Sequence, residues 1–459
     1  MRPLLIVSVA TLAMLLESKA LAADCIGTDP ADFGAVPDDD NPDTRQLQAA
    51  IDATPSGGTL CLPRGHLRVQ RAGAGAWNRF AAVSTHHKGL SVIGVPGESF
   101  VDLVGDQGLG STILWSIDGG AENITFDGVT LTSTGAWNTD EQTHLWATTG
   151  VCSAALGTCT PIRNLTIRNS VCIHPRGATR RGDCIRLLGN DLNTLVFSVL
   201  IENNKLDGAR SGVELQRGLR GVVIRGNVFN GATADQHIDG EASGVTPGLE
   251  VRDVVITGNT FVSGPANQGD HDIALTSADN VEIYGNRMSR GVALVRSTRV
   301  YIHDEVIWLN ARGILGVIDV TNTCTGLHIQ NTKLVRSGVS GPMVRLMQRN
   351  GNTCDDVRIE DNVMVQQTPS FGVYTESSSS LSVLRNSMIW TVPGVGVTAV
   401  YARGVVAPVT GLRVDGNVVI GELPALAALQ GSPYPIVLPQ FTQNYSVIQL
   451  CTGSGCPRP

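Results

Sequence analysis

A short apolar-polar-apolar stretch ending in asparagine recurs down the chain, at Val223-Ile224-Arg225-Gly226-Asn227, Val255-Ile256-Thr257-Gly258-Asn259 and Val281-Glu282-Ile283-Tyr284-Gly285-Asn286. Further copies end at Asn204, Asn362, Asn386 and Asn417, with degenerate ones at Asn164 to Ser170, Val300 to Glu305 and Leu327 to Thr332. From Asn204 to Asn417 the spacing runs from 19 to 32 residues, the range of stacked solenoid repeats. Alternation of period two marks a strand, and asparagine or glycine after it marks a tight turn that tolerates left-handed backbone.

A repeat of this length holds three short strands and three turns, with almost no room for helix. Stacked in register, such repeats form parallel sheets with the asparagine amides hydrogen-bonding up and down the stack. The expected fold is therefore all-β, a right-handed parallel β-helix of about 10–12 coils. Leucine-rich repeats would need a leucine-asparagine consensus, and propeller blades would be about twice as long. The glycine content, 52 of 459 residues, suits a turn-rich solenoid, and no composition bias points to collagen or disorder.

Residues 1–22 carry Arg2, an apolar run over residues 3–16 and the small-x-small site Ala20-Leu21-Ala22, the pattern of a secretory signal peptide. The mature chain is expected to start at Ala23 and to be secreted, outside the cell or in the periplasm. Residues 23–459 then form one domain: 23–65 as N-terminal cap and first strand, 66–421 as coils and 422–459 as a C-terminal cap. No later apolar run is long enough to span a bilayer. The net charge of -7 argues against a nucleic-acid partner, and the chain is read as a monomer.

All ten cysteines follow residue 22, an even number suited to disulfides in an oxidising compartment. Nearest-neighbour pairing gives Cys25–Cys61, Cys152–Cys159, Cys172–Cys184, Cys324–Cys354 and Cys451–Cys456. Cys324 and Cys354 occupy the same position in consecutive repeats, where strands about 4.8 Å apart suit a disulfide.

The N-terminal segment adds a resemblance. Asp32-Phe33-Gly34-Ala35, an acidic loop, a helix with Asp43 as N-cap and Gln46 three residues on, and then Gly57-Gly58-Thr59-Leu60-Cys61-Leu62-Pro63-Arg64-Gly65 are similar to the opening of the pectate-lyase-like β-helix superfamily. There the helix covers the open end of the first coil. The resemblance implies a polysaccharide partner, cleaved by hydrolysis or β-elimination. The polygalacturonase-like branch has four motifs; here only Gly182-Asp183-Cys184-Ile185 approaches one, with a single aspartate where that branch has two.

Registering the repeats on Ile185, Val213, Ile238, Ile273 and Val292 places Arg186, Glu214, Asp239 and Ala274 in one outward column and Leu188, Gln216, Glu241 and Thr276 in a second. Asp239 and Glu241, two residues apart, share one face, and the same alternation places His237, one residue before its strand's marker, on it; Arg210 and Asp235 lie further back. Ionisable groups thus gather on three consecutive coils, whereas Ala293 and Val295 follow on the next. Adjacent carboxylates about 5 Å apart repel unless protonated, paired with arginine or bound to a cation.

Asp239, Glu241, Glu214 and His237 are the candidate acid, base or nucleophile. Either carboxylate separation used by glycosidases is available among Glu214, Asp239 and Glu241. Arg186, Arg210, Gln216 and Asp235 are candidate substrate contacts, joined by Trp137 and Trp146 from the longest inter-repeat stretch. A lyase would instead need a cation such as calcium, with Asp270 and Asp272 as candidate ligands, or an arginine to neutralise a uronate carboxylate, together with a base; Arg186 or His237 could serve. The alternative is a non-catalytic, adhesin-like β-helix that only binds glycan.

Overall fold

The computed structural model describes residues 25–71, 81–104, 112–133, 143–149, 160–174, 182–207, 210–231, 235–241, 246–263, 270–309, 315–338, 340–347, 353–391, 398–405, 407–420, 425–430, 436–437, 439–444 and 451–452. These residues wind as a right-handed parallel β-helix with three parallel sheets, in which each strand pairs with the strand one coil away. The sheets hold 16, 13 and 14 strands, more coils than the ten to twelve counted from sequence signatures. Two regions account for the difference. Early strands such as Lys88–Ile93 and Glu122–Asp127 lack the asparagine signature, and pairing continues past residue 421, where Ala425–Gln430 lies beside Thr398–Arg403.

Inward positions form one continuous apolar core. On the first sheet Val222 and Ile224, Val254 and Ile256, and Val281 and Ile283 stack in register, all buried. The turn out of this sheet explains the recurring Gly-Asn pair. Gly226 has φ +64, where a Cβ is strained, and Asn227 turns its amide inward. The Asn227 backbone N–H and Nδ2 both donate to Asn259 Oδ1, at 2.9 and 3.0 Å, while Nδ2 also donates to the Ile201 carbonyl. Asn204, Asn259 and Asn286 repeat these contacts, and a second run links Thr332, Asn362, Asn386, Asn417 and Asn444.

Glu305 ends the first run in place of an asparagine. It accepts from the Asn286 N–H at 3.1 Å and from Asn286 Nδ2 at 2.6 Å, and burial pushes its carboxyl up to about 8. A carboxyl raised above its unfolded value contributes stability that is complete below about 4.5 and is lost as pH climbs toward about 8. Glu305→Gln keeps an acceptor and removes the charge. Its melting temperature should exceed that of the parent by a margin that widens from pH 5 to pH 8, by up to about 1.4 kcal/mol per pH unit. A margin independent of pH in a thermal-melt series would contradict this.

The helix Thr44–Ala53 buries Leu47, Ala50 and Ile51 in the core. Gln48 pairs through its side-chain amide with the backbone of Ser84, on the first strand of the third sheet. Asp43 precedes the helix, but its carboxylate accepts from the Val36 and Arg68 N–H groups and caps none of the helix's own amides. Among the described residues no helix is long and apolar enough to cross a membrane.

Three expected disulfides are present: Cys25–Cys61, Cys172–Cys184 and Cys324–Cys354. Cys324 and Cys354 are register partners with Cα atoms 4.5 Å apart. Cys152, Cys159 and Cys456 lie outside the described residues, as do residues 1–22.

Candidate active site

The third sheet carries the site. Its strands Gly182–Leu187, Ser211–Leu215 and Ile238–Glu241 are consecutive rungs, and Arg186, Glu214 and Asp239 are register partners on the outer face, as the sequence columns require. Inward, Ile185, Val213 and Ile238 fix that phase by packing into the core. One residue's shift would turn every charged group inward, so the aliphatic column holds the charged one in place.

Arg210 is the hub. Its guanidinium reaches Asp183 Oδ1 at 3.0 Å, Glu214 Oε1 at 2.9 Å and Glu241 Oε1 at 3.2 Å. Arg186 reaches Glu214 Oε2 at 3.1 Å and donates to Gln216 Oε1 at 2.8 Å, while Gln216 donates back to Glu214 Oε1 at 2.6 Å. Arg186, Arg210, Gln216, Glu214 and Glu241 therefore meet in one network.

Two further members of the network, Asp183 and His144, were not among the sequence candidates for the site. Asp183 is fully buried, and His144 Nδ1 lies 2.9 Å from its Oδ2 while His144 Nε2 faces Arg186 Nη1 at 3.3 Å. Burial lowers the pKa of His144, against the pull of the Asp183 hydrogen bond and charge. Register could have located it: Thr143–Thr148 pairs with Gly182–Leu187, setting His144 beside Asp183 and Trp146 beside Ile185.

The carboxyls are not equivalent. Asp183 is held below the usual carboxylate range by His144 and Arg210, which together outweigh its burial. Glu214 is pushed up to about 9 by burial and then by the Asp183 charge, against the pull of Arg210 and Arg186. Asp183 is thus the ionised member of that pair.

Asp239 is 5% exposed, and its Oδ2 is buried without a hydrogen-bond donor among the described residues. Burial pushes its carboxyl up to about 8, helped by Asp235 and Glu241 and opposed by Arg210. Asp235, Asp239 and Glu241 each bring a carboxylate oxygen within 4.8 Å of the others, as do the ligand atoms of His144, Asp183 and Glu214. Either group has the donor set for a cation, although protons and arginines already supply countercharge at both.

Other candidates are placed elsewhere. His237 precedes its strand in the turn from the second sheet, so its ring does not share the face of Asp239 and Glu241. It packs against Phe229 and Phe261 at centroid distances of 5.9 and 5.8 Å, and burial lowers its pKa to about 4. Trp146 is fully buried edge-on to Phe126, because it shares the inward column of Trp115 and Ile185, and no sugar can stack on it there. Asp272 accepts from the backbone N–H groups of Ser289 and Arg290 at 2.7 Å each, whereas Asp270 is exposed. Asp270 and Asp272 belong to no three-ligand cluster among the described residues. Trp137 lies outside the described residues.

No protein-family model and no curated protein matches the sequence. Among solved structures, the A-module of the mannuronan C-5 epimerase AlgE6 from Azotobacter vinelandii is 16% identical, with a TM-score of 0.58 over 93% of this chain and 100% of its own. The catalytic unit of a thermostable GH87 α-1,3-glucanase from Streptomyces thermodiastaticus is 13% identical, with a TM-score of 0.50 over 95% of this chain and 72% of its own. PfbA, a surface adhesin of Streptococcus pneumoniae, is 14% identical, with a TM-score of 0.50 over 93% of each chain. At such identities the likeness shows the fold alone, a right-handed parallel β-helix.

Proposed function

We propose that this chain is a secreted carbohydrate-active protein that cleaves a polysaccharide lying across the outer face of the third sheet. The observation that carries the reading is Asp239, a buried carboxyl on an outward column whose Oδ2 meets no donor among the described residues and whose proton is retained to about pH 8. A structural carboxyl in that position would gain from a partner; a general acid needs its proton at working pH. Asp239 would protonate the departing glycosidic oxygen, and Glu241, anchored by Arg210, is its partner carboxylate.

Their oxygens lie within 4.8 Å, short of the ~6.5 Å or more that seats a water between two carboxylates. This supports attack by Glu241 on the anomeric carbon, followed by hydrolysis of the glycosyl-enzyme ester with Asp239 now acting as base. The anomeric configuration would be retained. Two of the three similar folds are named for action on mannuronan and on α-1,3-glucan, in keeping with this reading. The three disulfides and the signal-like N-terminus support secretion.

A panel of neutral and acidic polysaccharides, scored for new reducing ends and for absorbance of unsaturated uronates, tests the reading. New reducing ends without unsaturated products are expected. Unsaturated products would mark a lyase, and binding without cleavage would leave an adhesin-like protein.

A further inference from the structure

We infer that the outer face of the second sheet docks on the surface of an anionic lipid bilayer, independently of any cleavage on the third sheet. Alternation of period two turns Phe229, Phe261, Met288, Ile307 and Leu334 into the core. Residues between such inward positions normally meet water and are polar. Here most are apolar. Eight of the twelve exposed large hydrophobic side chains among the described residues stand on this face, with Val228, Val262, Val306, Trp308, Val363 and Ile420 among them. Trp308 is 53% exposed and Ile420 52%. An exposed apolar stripe of this extent marks an interaction surface.

The charged side chains of the face select the partner. Lys205, Arg287 and Lys333 are exposed at the first outward position of their strands, in one column with Val228, Val306 and Val363. None of the three pairs with a carboxylate among the described residues. From Val171–Ile173 to Val418–Ile420, Asp207 is the one acid at the described outward positions of this sheet. On a chain of net charge -7, a stripe with this balance fits an anionic partner. Valine, isoleucine and tryptophan seat at the boundary of headgroups and acyl chains, while lysine and arginine beside them reach lipid phosphates. A glycan would need hydrogen-bonding side chains that these aliphatic positions do not carry. A second copy would set cation against cation. The stripe, about 43 Å long and about 10 Å wide, also offers only about half of the ~800 Å² that a stable interface takes from each partner.

Co-sedimentation of the full mature chain with phosphatidylcholine vesicles, with and without phosphatidylglycerol, tests this. Binding is expected to the anionic vesicles and should weaken in high salt, with a blue shift of tryptophan emission that Trp308→Phe abolishes. Each interfacial cation is worth roughly a fivefold gain in binding, so Lys205→Gln, Arg287→Gln and Lys333→Gln together should weaken it about 100-fold. Thr260→Lys adds a cation beside Arg287 in the same column and should tighten binding about fivefold, a gain that a misfolded variant could not give. No binding to the anionic vesicles would overturn the inference. So would binding that neither the triple variant nor Thr260→Lys alters, because another surface would then hold the bilayer. A dimer in sedimentation equilibrium that Trp308→Ser breaks would give the face to a second copy, and retention by an acidic polysaccharide in place of vesicles would give it to a glycan; either result overturns the bilayer partner.

Discussion

Asp239→Asn should lower the cleavage rate by a factor of about 10² to 10⁴, the contribution of a positioned general acid, while the protein still folds. The amide keeps the shape of the carboxyl but cannot deliver a proton. Its effect on stability should run the other way. Burial and the neighbouring Asp235 and Glu241 raise the carboxyl to about 8, so its share of stability is whole below about 3.8 and is lost as pH rises through about 8. The asparagine escapes that loss, and its melting temperature should match or exceed that of the parent above pH 7. A variant that is more stable and inactive separates a catalytic carboxyl from a structural one. Unchanged activity together with raised stability would make Asp239 one rung of a solvated ladder.

Arg210→Met should destabilise the fold by about 3–5 kcal/mol, the usual cost of breaking a buried ion pair from one side. Asp183 and Glu214 are 0% and 1% exposed, and Arg210 pairs with both of them and with Glu241. Removing it leaves a buried carboxylate facing a neighbour that must hold a proton. Arg186 and His144 remain, so the site should survive at acidic pH and fail as pH rises. Adding Asp183→Asn to Arg210→Met should recover part of the loss, because the stranded charge is gone. Thermal or denaturant melts of the single and double variants read this directly, and a cost below about 1 kcal/mol would show that the network carries little charge.

The repeats made most of the architecture legible. Val254, Ile256 and Asn259 announce strand, phase and turn in six residues, and the chain does the same at Val281, Ile283 and Asn286. The outward column Arg186, Glu214, Asp239 followed from that phase alone. What stayed hidden had lost the phase marker or come from a distance. The strand Thr143–Thr148 is followed by no asparagine, so it stays hidden in the longest inter-repeat stretch, and its Trp146, a candidate substrate contact from sequence, is sent into the core by the register with Ile185. His144 meets Asp183 across 39 positions of sequence, a contact that only the coil-to-coil register creates. His237 failed differently, because it stands one residue outside the strand whose alternation was used to orient it.

The most direct test is the pH dependence of kcat/KM for the unmodified protein on a polysaccharide it cleaves, since that profile reports the ionisations of the free enzyme. With Asp239 as the acid, the rate should fall on the alkaline side with an apparent pKa near 8. A rate that holds level from pH 7 to pH 10 would contradict the account, because no carboxyl of this site would then be supplying the proton.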